Sequence, residues 1–391
     1  MSRRLATPLI GLVMVAGLPA TTSAGITVYE EGNKRIEIGG RLQVQYANVR
    51  VDGGESRDRI FFRRLRPYIQ GSVSENWYGK LQFDFGAAIE SDEVAVKDAF
   101  MRYTGLDAGA FTIGNMKPGF SRQLQTSSTR QQVVERGFVG DHNFGTPART
   151  IGVKWDGHAA DKKLTYSIAA GGEHHDPNQD FMDFDSPTVN KDDWNEGLLF
   201  VGRIDYHPLG FMKFDRGDFG RSDFKFNVST AAFNWSNDDD NNTYTDGTGS
   251  TTPEGIADGR VDLDSATGFE LSAGFRLADF SADVEYQLIS GDTIDPAFTG
   301  GIYVNGTTDL DKGSLNAGYM IIDNRLEIAV AYDVFDADGY VDASESITVS
   351  LNVFVNKHKA KLQLDYTMNE NTLGMTGVDT DTFQAQAQFV F

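Results

Sequence analysis

Apolar and polar residues alternate one by one along most of this 391-residue chain, and that period of two limits what it can become. In "RIEIGGRLQVQY" (35–46), Ile36, Ile38, Leu42, Val44 and Tyr46 share one face, while Glu37, Arg41, Gln43 and Gln45 share the other. "WYGKLQFDF" (77–85) sets Trp77, Leu81, Phe83 and Phe85 against Lys80, Gln82 and Asp84. "FSADVEYQLI" (280–289), "RLEIAVAYDV" (325–334) and "KAKLQLDYTM" (359–368) repeat the pattern. Such alternation predicts strands with one apolar and one polar face. About sixteen such segments can be read, the first near residue 35 and the last near 382.

The first residues read differently. "MSRRLATPLIGLVMVAGLPATTSAG" has Arg3 and Arg4, then an apolar run to Ala20, then Thr22 and Ala24 at the −3 and −1 positions of a small-residue cleavage site. That is the pattern of a secretory signal peptide, residues 1–24, which leaves 25–391 as one exported domain. No later apolar run is long enough to cross a membrane as a helix. A chain of this kind that spans a bilayer must therefore do so as a closed barrel.

A soluble sandwich also alternates, so the connections matter. "SEN" (74–76), "LDAG" (106–109), "AD" (278–279), "DN" (323–324) and "NK" (356–357) are tight, whereas 117–148, 171–196, 236–262 and 290–313 are long and polar. Short turns at one end and long loops at the other predict a transmembrane antiparallel β-barrel of about 16 strands. "HPLGFMKFDRGDFGRS" (207–222) breaks the rhythm, being long where a short turn is due. The chain stops on Phe391 of an alternating strand, which resembles the recognition signal of bacterial outer-membrane barrels.

In a barrel this wide the polar face lines water, and its side chains set what passes. "RDRIFFRRLRPYIQG" (57–71) carries five arginines, although the chain has a formal charge of −21. With Leu65, Ile69 and Val73 facing lipid, Arg64 and Arg66 face the lumen. Strict alternation sends Arg63 outward, so either it lies near the rim or a bulge re-aims it. Arg41, Lys80, Arg102 and Lys154 also fall on inward positions. Residues 34–154 hold 18 Lys and Arg against 13 Asp and Glu; residues 155–391 hold 15 against 41. One wall of the lumen is expected to be positive and to concentrate anions. Pairing with Glu37, Asp84 and Asp98 across strands would compete with that role. The longest loop in the basic half, 117–148, adds Lys117, Arg122, Arg130 and Arg136, and its "STRQQVVERG" predicts one or two helical turns. Folded inward, it would narrow the pore.

At "IGGRLQVQY", "FRRLRPYIQG", "WYGKLQFDF", "FMRYTG", "FTIGNMKPGFS" and "TSSTRQQVVERG" the chain resembles the phosphate-selective porins O and P of Gram-negative outer membranes. The likeness covers about residues 36–140. The resemblance implies a trimer of sixteen-stranded barrels, each with its own channel and with the third loop folded into it. It also implies a constriction of arginines and lysines that replaces part of a phosphate's hydration with charge-assisted hydrogen bonds. The family's arginines match Arg41, Arg63, Arg64 and, with Glu135 before it, Arg136; the match favours the bulge at Arg63. A family lysine falls on Tyr78, with Lys80 two residues on, and another on Leu124, with Arg122 nearby. The family's arginine ladder at the outer mouth is replaced by "NDDDNNTYTDGTGS" (237–250), which repels anions.

The anion-binding set expected from sequence is thus Arg41, Arg63, Arg64, Arg66, Lys80, Arg102, Arg122, Arg130 and Arg136. Small phosphate-like anions, outer-membrane lipid and lipopolysaccharide are the expected partners, with no nucleic acid. With no cysteine and no nucleophile elbow, P-loop or dinucleotide fingerprint, no cofactor, metal centre or enzyme is expected. "EHHDPNQD" (173–180) and "NDDDNN" (237–242) read as solvated loop carboxylates that could hold a divalent cation weakly. A porin of different selectivity, favoured by the acidic C-terminal part, and a plugged barrel serving as adhesin or hydrolase remain as other readings.

Overall fold

The computed structural model describes residues 25–86, 94–185, 196–237, 243–245, 251–253 and 261–391. The signal-peptide reading (1–24) and most of the acidic run 237–250 lie outside them. Strands run in chain order: β1 (Gly25–Glu31), β2 (Lys34–Val51), β3 (Arg57–Ser72), β4 (Trp77–Asp84), β5 (Ala95–Leu106), β6 (Gly109–Met116) and β7 (Thr150–Ala159). Then come β8 (Leu164–Asp176), β9 (Asp183–Asp185), β10 (Glu196–Tyr206), β11 (Lys225–Asn237), β12 (Thr243–Thr245) and β13 (Thr251–Pro253). The last are β14 (Leu263–Leu277), β15 (Phe280–Thr293), β16 (Thr307–Ile322), β17 (Leu326–Ala337), β18 (Ser344–Asn356), β19 (Ala360–Glu370) and β20 (Thr380–Val390).

Sixteen strands, all but β1, β9, β12 and β13, pair antiparallel with their sequence neighbours, and β20 pairs back onto β2 to close the barrel. Closure leaves no unpaired edge for the bilayer to penalise. β1 folds back on the first residues of β2, β9 pairs on the end of β8, and β12 and β13 form a hairpin in the 238–262 connection. Turns of two to four residues join neighbours where the sequence predicts tight ones; Ala278 and Asp279 both take positive φ (47° and 76°), the twist a tight hairpin needs. Some strands run further than the alternation suggests: the loop expected over 290–313 contracts to 294–306, because Ser290 and Asp292 still pair with Asp309 and Thr307.

The faces separate cleanly. On β15, Val284, Tyr286 and Leu288 are exposed on the outside, while Ser281, Asp283, Glu285 and Gln287 are buried on the inside. An apolar belt thus meets lipid, and the polar face meets the lumen.

Candidate functional site

The five arginines of β3 reach the lumen through a break in the ladder. Gln43 of β2 pairs with Arg64, but Val44 pairs with Phe62, so Arg63 is an extra residue, a β-bulge. On one side of it Arg64 and Arg66 face inward; on the other the phase changes and Arg57, Arg59 and Phe61 do, with Ile60 and Phe62 exposed outside. Arg63 itself turns in and binds Glu135 through Nε and Nη2 at 2.7 and 3.0 Å. β5 repeats the device. Gln82 pairs with Asp98 and Phe83 with Val96, which leaves Lys97 as the extra residue.

Both bulged cations line one cavity of about 1190 Å³ between β2–β5, β20 and the segment that joins β6 to β7. Its walls carry eleven basic side chains: Arg41, Arg57, Arg59, Arg63, Arg64, Arg66, Lys80, Lys97, Lys117, Arg136 and Arg149. Five carboxylates face them, from Asp58, Asp84, Asp98, Glu135 and Asp141. Some charge is neutralised: Arg66 meets Asp84 at 2.5 Å, and Lys80 and Arg149 share Asp98 at 2.6 and 3.1 Å. Others meet no carboxylate. Arg41 donates to Ser128 Oγ (2.6 Å), Arg136 to the carbonyls of Gln123 and Thr126, and Lys117 to the carbonyl of Leu124. These three thus bond to neutral oxygens rather than forming an ion pair. Burial, then Arg136 and Arg149, push the Lys117 ammonium well below its ordinary value. Burial and the nearby Arg64 and Arg66 lower the Arg136 guanidinium likewise. Burial opposes ionisation of Glu135, but Arg63 and Arg64 outweigh it and hold that carboxyl below its ordinary range.

The connecting segment, 117–149, is fastened to the opposite wall. It holds one helical turn, α1 (Arg122–Gln125), capped by Ser121, whose hydroxyl accepts from the Leu124 amide. The "STRQQVVERG" stretch forms only a short 3-10 turn at Ser128–Arg130 and then continues as irregular, bending chain, because its backbone is taken up elsewhere. The Arg122 and Gln123 amides donate to Glu285, the Val134 amide to Asp365, and the Gln132 side chain to Glu327. Lys361 donates to the Gln131 carbonyl and Lys312 to that of Phe144. Glycines on the wall make room: a Cβ on Gly274 would fall 1.9 Å from Arg122 Nη2, and one on Gly318 1.9 Å from Gln132 Nε2.

The cavity gathers Arg41, Arg63, Arg64, Arg66, Lys80 and Arg136 of the set read from sequence. Arg102 lies instead in a second cavity of about 610 Å³, bonded to Asp156 at 2.6 Å. Arg122 is 1% exposed and paired with Asp283 at 2.7 Å. Arg130 pairs with Asp215. Arg57, Arg59, Lys97, Lys117 and Arg149 join the cavity without having been in that set. Lys97 hides behind a bulge that alternation alone does not reveal, and Arg149 stands one residue before β7. No group of side chains with metal-binding geometry occurs among the described residues.

Solved outer-membrane barrels share this fold. An anion-selective porin from Comamonas acidovorans superposes with TM-score 0.59 at 10% identity, covering 92% of this chain and 100% of that one. OmpT of Vibrio cholerae gives 0.57 at 13% identity (93% and 99%), and the DcaP channel of Acinetobacter baumannii 0.56 at 12% (91% and 98%). No curated protein matches the sequence. The phosphate-selective porin O and P family matches residues 36–268, more than half of the chain, and that stretch contains the two bulges, all eleven basic side chains of the cavity and the connecting segment. The chain therefore belongs to the phosphate-selective porin O and P family and forms an outer-membrane porin channel.

Proposed function

We propose that the channel passes small anions, phosphate-like ones among them, by passive diffusion along its basic wall. The observation that carries this reading is the excess of cations over carboxylates in the 1190 Å³ cavity, several of them bonded to neutral oxygens alone. The segment 117–149 serves as the constriction, presenting Lys117 and Arg136 across from Arg41, Arg63 and Arg64. Residues 1–24 act as the export signal. The working form is a homotrimer, set in outer-membrane lipid and lipopolysaccharide; the trimer form of Vibrio cholerae OmpT supports this assembly.

One observation favours a different selectivity. Asp309, Asp311, Asp336, Asp338 and Asp342 cluster at the loop end of β15–β18, and an acidic mouth repels approaching anions. Single-channel recording in a planar bilayer decides between the two. The anion reading expects a reversal potential set by chloride in a salt gradient, and chloride current blocked by added phosphate. Cation selectivity without block means that the acidic mouth dominates.

A further inference from the structure

The connection between β10 and β11, residues 207–224, is too long for a short-turn end, and it does not hang free. From β10 it reaches to the β18–β19 turn. Phe219 packs on Phe354 and His358 with ring centroids 4.8 and 4.9 Å apart. The Arg216 carbonyl accepts from His358 at 2.8 Å, and Gly217 lies against Glu327 and Met320. It also clasps the 117–149 segment from below. Arg130 binds Asp215 at 2.5 Å, and the Arg216 amide donates to the Arg130 carbonyl. Phe214 sits under two guanidinium groups, Arg122 at 4.6 Å and Arg203 at 4.9 Å from its ring centre.

We propose that residues 207–224 form a second constricting element, which enters from the short-turn end, locks the 117–149 segment in place and covers the acidic wall. Current is then confined to the basic side. That wall carries Asp205, Glu270, Asp283, Glu285 and Glu327, all buried; Gly217 lies against Glu327, and the 117–149 segment that 207–224 holds down lies on Glu285. Left open to water, these carboxylates would attract cations along a path parallel to the basic one. The anion preference of a chain with so acidic a C-terminal part thus depends on their being covered. The selectivity arm of this proposal rests on the anion-channel reading; the conductance arm does not.

The test replaces 208–221 by Asn-Gly and compares single-channel conductance and reversal potential in potassium chloride with those of the full-length porin, after heat-modifiable mobility on gels has confirmed a folded barrel. The proposal expects conductance to rise roughly twofold as the obstruction is removed, with a shift toward cations. Unchanged conductance overturns the constriction, and raised conductance without a cation shift overturns the covering role. If the full-length channel is itself not anion-selective, the anion reading falls, while the conductance change still decides the role of the segment. If the shortened chain does not fold, Phe219→Ala in the full chain loosens the same anchor. It should give a larger and noisier open level, and a trace like that of the unaltered channel overturns the proposal.

Discussion

Strands β2–β7 and strands β10–β19 line the same lumen, yet they handle charge in opposite ways. On the first side, cations stand in a water-accessible cavity and several are bonded only to neutral oxygens. On the second, cations and carboxylates lock together out of water: Arg122 and Arg276 on Asp283, Arg203 on Asp205 and Glu270. The difference teaches that net charge along a sequence does not report the charge a permeating ion feels. The acidic side contributes walls and anchors, and in the proposed function the basic side contributes the path.

The largest way to break this contrast is Arg122→Ala. It leaves Asp283, 4% exposed, with Arg276 alone and withdraws the guanidinium that fills the gap at Gly274. A loss of about 3 kcal/mol is expected, read as a lower temperature for loss of the folded form on gels. Next comes Arg64→Ala with Arg136→Ala. Removing two charges beside the path, each worth about 0.7 kcal/mol to the difference between anion and cation, should cut the chloride-to-potassium permeability ratio roughly tenfold. The melting temperature should move less than in Arg122→Ala, and an unchanged ratio would remove these residues from the path.

A pH titration sharpens the comparison. Burial and its basic neighbours depress Lys117, so its charge is fully present only below that lowered value and is lost as pH rises through it. Anion preference should therefore decline as pH rises, at a lower pH than an ordinary lysine allows, and Lys117→Met should flatten the decline. The smallest effect belongs to Arg59→Ala at the mouth, where the guanidinium lies 4.2 Å from the centre of the Phe61 ring. It should slow anion entry a few-fold at low salt and do little at high salt, since screening removes long-range attraction.

Much of this was legible in the sequence. Period two gave sixteen strands, and the alternating stretch read from residue 77 begins where β4 does, at Trp77. Inward alternation found Arg41, Arg64, Arg66 and Lys80. It could not place Arg122 or Arg130, because a loop side chain has no register: what it meets depends on partners such as Asp283 and Asp215, 161 and 85 residues away. The pairing left a trace only in hindsight, in glycines set among wall positions at 274 and 318. The length of 207–222 marked an anomaly, but its destination lay in contacts with Phe354 and His358 that no local pattern encodes.

The two bulges have a consequence for how such pores diversify. Arg63 and Lys97 are each one residue more than their partner strand requires, so every lipid-facing neighbour on both sides keeps its place. A substitution at a regular strand position must exchange one lumenal side chain for another. An inserted codon at a bulge adds a charge to the channel and displaces nothing. Strand length, one residue at a time, is thus a heritable dial for permeability that leaves the membrane-facing surface untouched.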